Sequence, residues 1–199
     1  MVWALSYRPK PDSYPLAEIV EGNSGELELV DPTPDGGTGL AMSRSFSGRR
    51  ARPESVPKVI RWMSKRKLLD YETACRKTVS DRFRALIEEI EPEVHQFEPV
   101  AFVAKDGSPL GTRWFWQVCN RIDSVHRGLT NWTLMNGAVW TARFVGKNHK
   151  LAFDLTNIGN AGFWHDKHMS SGTYLSDEAK ERIVEAGMTG VHFNHYEQA

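Results

Sequence analysis

The stretch SDRFRALIEEIEPEVHQFEPV (Ser80–Val100) has the same pattern as a second stretch, SDEAKERIVEAGMTGVHF (Ser176–Phe193), near the end of the chain. Each begins with a serine that can cap a helix, followed by an acid at the positive end of the helix dipole. Apolar residues then recur at helical spacing, and a short strand-like run follows. Because one such unit cannot bury its own apolar stripe, the repetition predicts two related halves that share a core.

Residues 94–123 predict an antiparallel hairpin that turns at Asp106-Gly107. In its second run, Trp116 and Phe115 fall on opposite faces of the strand. Apolar side chains on both faces indicate a central strand of a sheet.

Three other segments carry weaker patterns. Gly25–Val30 alternates apolar and acidic residues, as a half-buried strand does. In residues 59–77, Trp62 and its apolar neighbours fit one face of a helix. Residues 139–155 predict a second hairpin with its turn at Gly146–His149. Together the patterns predict an α+β fold in which helices pack on a largely antiparallel sheet, with an internal duplication of a capped helix-strand unit.

The composition fits a single domain over residues 1–199. The chain is 40% hydrophobic and 25% charged, values close to those of ordinary soluble domains. No apolar run approaches the ~18 residues of a membrane span, and the first residues lack a basic leader, so we expect a cytoplasmic protein with no membrane partner. Cys75 and Cys119 are too few for a disulfide framework.

The segment from about residue 31 to 57 is rich in Pro, Gly, Ser and Arg, which predicts a mobile loop. Positive charge is concentrated in the overlapping segment 43–67, where Glu54 is the only acid. The bases there are Arg44, Arg49, Arg50, Arg52, Lys58, Arg61, Lys65, Arg66 and Lys67. Such asymmetry favours a surface that meets a partner, although a solvated loop explains it equally well.

Two functional alternatives follow from particular residues. His165, Asp166 and His168 form a close group that suggests a small metal-dependent hydrolase, but no helix carries the H-E-x-x-H spacing of zinc enzymes. The basic segment 43–67, with Trp62 inside it, suggests a nucleic-acid-binding module. Against this stand a pI near 7.1 and the lack of a known nucleic-acid-binding signature.

Several blocks between residues 56 and 195 resemble the MXAN-type immunity proteins of bacterial polymorphic toxin systems, first catalogued as a domain of unknown function. The most characteristic blocks are the Val-Ser-Asp helix start that leads to Phe97–Val100, the Asn120–Asp123 step, and the closing Ser-Asp helix that ends at Gly187 before Thr189–Phe193. Residues 1–55 lie outside this resemblance and are expected to be lineage-specific.

The resemblance implies a protein that protects its own cell by binding a toxin or effector encoded nearby. It implies no enzyme activity, and we expect no catalytic residue, cofactor or metal. Buried anchors and complementary charge are the usual means of tight protein association. From the charge distribution we predict a toxin-binding surface formed by Arg49, Arg50, Lys65, Arg66 and Lys67.

Overall fold

The computed structural model describes residues 1–7, 16–38, 40, 43–142 and 148–198. These residues form two six-stranded sheets, a two-stranded hairpin and three α-helices. The mixed, sheet-rich fold agrees with the predicted class, but the strands are divided between two sheets instead of one. No helix among the described residues is long and apolar enough to cross a membrane.

The strands of the first sheet come mostly from the second half of the chain. In spatial order they are β11 (Ala152–Phe153), β14 (Val191–Gln198), β1 (Val2–Tyr7), β13 (Thr173–Ser176), β12 (Phe163–Asp166) and β8 (Arg121–Ile122). The first strand of the chain therefore lies inside this sheet, between β14 and β13.

The second sheet uses strands between residues 17 and 117. In spatial order its strands are β2 (Ala17–Gly22), β3 (Pro57–Trp62), β6 (Gln96–Ala104), β7 (Pro109–Gln117), β5 (Thr78–Val79) and β4 (Tyr71–Glu72). Outside the two sheets, β9 (Thr133–Met135) pairs with β10 (Val139–Thr141). The helices are α1 (Asp81–Ile90), α2 (Leu155–Ile158) and α3 (Asp177–Glu185).

Five strands of each sheet follow the same order and relative direction. The series β3, β6, β7, β5, β4 matches the series β11, β14, β1, β13, β12. The first pair of each series is parallel and the other three pairs are antiparallel. Helix α1 links β5 to β6, and α3 links β13 to β14 in the same way. An origin by internal duplication remains a prediction.

The two predicted helices begin where their capping serines place them. The Ser80 hydroxyl accepts a hydrogen bond from Phe83 N (3.3 Å), and the Ser176 hydroxyl accepts one from Ala179 N (3.2 Å). The backbone of the two caps is nearly identical, with φ of −72° and −71° and ψ of 166° in both. Each cap satisfies an N–H group that the first helical turn leaves without a partner.

The apolar faces of α1 and α3 meet in one central core. Phe83 and Ile87 of α1 and Ile183 of α3 are fully buried there. Trp116 of β7 and Phe163 of β12 join them from the two sheets, with ring centroids 5.4 Å apart in an edge-to-face arrangement. The two helix-strand units thus bury the stripes that neither can bury alone.

The first predicted hairpin is confirmed. Strands β6 and β7 pair around the turn at Asp106-Gly107, where Gly107 has a φ of +87°. Trp116 faces the central core and Phe115 faces a second cluster, so β7 is a central strand buried on both sides.

The predicted helix over residues 59–77 is wrong, because Pro57–Trp62 is strand β3. This strand lies between β2 and β6, and Ile60 and Trp62 are buried in one cluster with Leu27, Ala51 and Val56. The β-branched pair Val59-Ile60 suits such a position, and burial in the sheet outweighs the helical spacing.

The predicted hairpin over residues 139–155 is also wrong. Strand β10 pairs antiparallel with β9, the strand that precedes it in the chain. The two strands are joined by Asn136-Gly137, whose φ values of +49° and +67° fit a primed hairpin turn. Strand β11 instead runs parallel to β14. Part of the predicted turn, residues 146 and 147, lies outside the described residues.

The described part of the segment 31–57 packs against both sheets. Ala51 and Val56 are fully buried, and Ala51 exchanges two hydrogen bonds with the side chain of Gln96 (2.7 and 2.8 Å). Arg121 donates two hydrogen bonds to Asp35 (2.6 and 2.8 Å) and holds the pKa of that carboxyl well below its usual range. Mobility of the segment remains a prediction.

Asp70, just before β4, ties the two halves together. Its carboxylate accepts hydrogen bonds from Ser80 (2.8 Å), from Arg82 of α1 (2.7 and 2.6 Å) and from the backbone and hydroxyl of Thr189 after α3 (2.9 and 2.6 Å). Burial alone would raise the pKa of Asp70, but these donors outweigh it and lower the pKa well below its ordinary value.

We predict that Asp70→Asn lowers the free energy of unfolding by about 2 kcal/mol at neutral pH, because the amide cannot accept all of these bonds. Because the pKa of the Asp70 carboxyl is lower in the folded protein than in the unfolded chain, the ionised carboxylate stabilises the fold at pH values above the unfolded-state pKa. This contribution is lost as the pH falls below about 4. Urea unfolding of the wild type and of Asp70→Asn, from neutral pH to below about pH 4, should therefore show that the difference in their free energies of unfolding decreases in acid. The control Asp106→Asn, at an exposed turn, should change stability by less than about 0.5 kcal/mol. An equal effect of the two substitutions would contradict the role of Asp70.

Candidate functional site

A surface cleft lies at the edge of the second sheet where β3 and β6 end. Trp62 pairs in parallel register with Ala104, so the chain leaves both strands at the same edge. The loop of residues 63–68 forms one wall, and the β6–β7 turn with the first residues of β7, residues 105–110, forms the other. The cleft has a volume of about 950 Å³, and we call it the β3–β6 cleft.

The walls of the β3–β6 cleft expose apolar side chains. Met63 is 38% exposed on one wall and Leu110 is 46% exposed on the other. Trp62 is buried beneath them, and its indole N–H donates a hydrogen bond to Arg66 O (2.9 Å), which fixes the course of the loop. Exposed apolar groups that converge on one cleft are typical of binding sites.

Three lysines surround these apolar groups. Lys65 and Lys67 project from the loop and Lys105 from the turn, and all three are exposed. The ion pairs among the described residues include none of them. The cleft therefore combines an apolar centre with a basic rim.

Arg66 has a structural role at this cleft, because its side chain bonds to other residues of the protein. Its guanidinium donates two hydrogen bonds to the buried carboxylate of Glu72 (both 2.7 Å), contacts the hydroxyl of Tyr7 in the first sheet, and lies 4.7 Å from the centre of the Trp62 ring. Burial would lower the pKa of Arg66, but the bonds and charge of Glu72 outweigh it and raise the pKa. The charge of Arg66 is thus already matched within the protein.

Arg49 and Arg50 lie away from the β3–β6 cleft. Arg49 donates to the carbonyls of Asp31 (2.9 Å) and Thr33 (2.7 Å), while Arg50 donates to the carbonyl of Glu93 (2.9 Å) just ahead of β6. The cleft is at the opposite end of this nine-residue strand, roughly 25 Å away at the usual rise per residue. The structure brings Lys65, Arg66 and Lys67 together but not with Arg49 and Arg50.

The three residues of the hydrolase alternative do not converge. His165 Nδ1 bonds to Gly172 O (2.7 Å), whereas His168 Nδ1 bonds to Ala138 O (3.1 Å). The Asp166 carboxylate accepts hydrogen bonds from Ser124 and from His168 N (each 2.7 Å), which makes it a buried turn-forming group. The described residues contain no group of three or more His, Cys, Asp or Glu side chains placed to hold a metal ion.

The aromatic residues of the basic segment are also occupied within the fold. Trp62 is only 4% exposed, and Phe46 packs against the His165 ring (5.3 Å between centroids). The Trp62 ring is therefore not presented for stacking on a nucleic-acid base, and the half-buried Phe46 ring already contacts His165 and Lys77. The geometry therefore does not favour the nucleic-acid alternative.

Sequence reasoning missed Met63, Lys105 and Leu110 as members of the site. The Asp106-Gly107 turn was visible in the sequence, but the pairing that sets it beside residues 63–68 joins strands distant along the chain. Reading Pro57–Trp62 as a strand would have placed Met63 at a sheet edge, and the helical interpretation hid this signal.

Comparison with known families adds a decisive observation. Residues 29–198 match the immunity protein family (Imm11). The chain belongs to this family. The match extends well before residue 56, so the expectation that residues 29–55 are lineage-specific is wrong. Strand β1 lies outside the matched range, although it occupies an internal position of the first sheet. A search of curated proteins returned no match.

The Arg66–Glu72 pair holds the loop that forms one wall of the β3–β6 cleft, and this role can be tested by substitution. We predict that Arg66→Lys lowers the free energy of unfolding by about 1–2 kcal/mol, because lysine keeps the charge but loses the two-pronged bond and the contact with Trp62. The reverse exchange at an exposed neighbour, Lys65→Arg, should have an effect below about 0.5 kcal/mol. Thermal unfolding measures both, and equal effects would show that the pair does not hold the loop.

Proposed function

We propose that this protein neutralises a cognate bacterial toxin by direct stoichiometric binding, without catalysis, in the cytoplasm of the cell that it protects. Membership of the immunity protein family is the observation that carries this proposal. The toxin belongs to the class of effectors encoded beside their immunity genes.

We place the toxin-binding site at the β3–β6 cleft. Met63 and Leu110 offer exposed apolar surface, and methionine adapts its shape to a partner at small cost. A partner side chain that enters the cleft would exclude water from both walls, as anchor residues do at protein interfaces. The surrounding lysines favour a toxin surface with acidic groups around that anchor.

This location retains Lys65, Arg66 and Lys67 of the predicted surface and gives them different roles. Lys65 and Lys67 attract and orient the toxin, whereas Arg66 holds the wall of the cleft against Glu72. Arg49 and Arg50 hold backbone carbonyls near the other end of β6, so the proposed site does not include them.

The apolar anchor is tested with Leu110→Asp. Co-production with the toxin-like product of an adjacent gene should restore growth with the wild type, and the pure proteins should form a complex. A charge in the cleft should weaken the complex by about 30-fold or more, the effect of losing about 2 kcal/mol at an interface anchor. The control Leu129→Asp changes a leucine of similar exposure, 44%, outside the cleft.

The outcomes separate the function from the site. Failure of the wild type to bind or neutralise any toxin encoded beside it would contradict the proposed function. Full protection by Leu110→Asp, with unchanged affinity, would contradict the β3–β6 cleft and leave the function standing.

The basic rim is tested through association kinetics. We predict that Lys65→Glu slows association with the toxin by about tenfold at low ionic strength, and that added salt reduces the difference. Lys58→Glu is the matched control, because Lys58 is an exposed lysine near the opposite end of β3. Stopped-flow measurements that give the same rate for both variants would exclude steering by this rim.

A further inference from the structure

A second pocket lies at the seam where the two sheets approach each other. Strand β1 and the β12–β13 turn line it from the first sheet, and the β4–β5 loop and residues 45–46 line it from the other side. Its volume is about 430 Å³, enough for a small ligand. We call it the seam pocket.

Lys77 is the most unusual residue of the seam pocket. It is only 8% exposed, and its Nζ donates a hydrogen bond to Ser45 O (2.9 Å) and lies 3.1 Å from His165 Nε2. His165 Nδ1 donates to Gly172 O (2.7 Å), which leaves Nε2 as an acceptor for the ammonium group. The same ammonium lies 4.8 Å from the centre of the Phe46 ring.

Lys77 forms no ion pair with a carboxylate of the described residues. Arg66 pairs with Glu72 and Arg121 with Asp35. The buried Arg113 resembles Lys77 in having no ion pair among the described residues, and it donates instead to the carbonyls of Leu69 (2.6 Å) and Asp70 (2.9 Å). A buried charge without a counter-charge is costly, and proteins usually pair it or discharge it. The fold instead holds this lysine among neutral groups beside an open pocket.

Thr173 gives a second, independent indication. It also lines the seam pocket, its side chain is 1% exposed, and its hydroxyl has no hydrogen-bond partner among the described residues. A buried hydroxyl without a partner is rare in a native protein. Lys77 and Thr173 thus both line the seam pocket, and each carries a hydrogen-bond donor.

We propose that the seam pocket binds a small free oxyanion, a carboxylate or a phosphate, with Lys77 as its charged partner and Thr173 as a hydroxyl donor. Oxyanions accept such bonds strongly when one donor is charged. This site is separate from the β3–β6 cleft, and the proposal does not depend on toxin binding.

The environment of Lys77 gives the expected pH dependence. Burial lowers the pKa of Lys77 to about 7, and only the Cys119 sulfur acts against that shift. The other titratable groups nearby cannot replace the charge: burial lowers the pKa of His165 well below its usual value, and it raises the pKa values of Cys119 (to about 11) and Tyr7 (to about 12). Burial also raises the pKa of Tyr71. Arg76, which lines the pocket as a cation, already donates its guanidinium hydrogen bonds to the carbonyls of Cys75 (3.1 Å) and Ser24 (3.2 Å). Since the anion needs the ammonium form, its affinity should fall up to about tenfold per pH unit above pH 7.

The test uses the full chain with inorganic phosphate and with acetate, at constant ionic strength balanced by chloride. We expect one of the two anions to raise Tm in a saturable way, by about 5 °C at a hundredfold excess over Kd, and to do so less at pH 8.5 than at pH 6.5. Lys77→Met should remove the shift, whereas Lys105→Met, at the exposed rim of the β3–β6 cleft, should retain it.

Thr173→Val provides a second variant in case Lys77→Met does not fold, and it should weaken anion binding by about tenfold. A wild type that neither anion stabilises would overturn the proposal. So would the same Tm shift in wild type and Lys77→Met, or in wild type and Thr173→Val, because the anion would then bind elsewhere.

Discussion

The carboxylate of Asp70 joins the two halves of this protein through a network of hydrogen bonds. It receives Ser80 and Arg82 from the start of α1 and Thr189 from the turn after α3, so one buried acid fixes both helices relative to β4. Phe83 of α1 and Ile183 of α3 pack with Trp116 in one core to which both halves contribute. The hydrogen bonds to Asp70 fix the positions of the two helices, and the apolar core between the helices supplies most of the driving force for folding.

The sequence predicted the elements whose signals are local. Ser80 and Ser176 cap their helices as expected, and the Asp106-Gly107 turn joins β6 to β7. Errors arose where distant pairing decides the structure: Pro57–Trp62 is a strand because β2 and β6 flank it. The Asn136-Gly137 dipeptide is itself a local hairpin-turn signal, and both residues have positive φ values.

The candidate site could be predicted only in part for the same reason. The charge distribution predicts Lys65, Arg66 and Lys67 as part of the site. Charge alone does not distinguish the exposed lysines from Arg66, whose guanidinium already pairs with the carboxylate of Glu72. The apolar half of the β3–β6 cleft depends on the parallel pairing of β3 with β6, which brings Met63 opposite Leu110. Local sequence patterns do not reveal such a pairing.

Amide hydrogen exchange of the protein with and without its toxin tests most directly our proposal that the toxin occupies the β3–β6 cleft. The account predicts slower exchange on complex formation in residues 63–68 and 105–110, with little change near Arg49 and Arg50. A tight complex that protects another surface and leaves both walls of the cleft unchanged would contradict it.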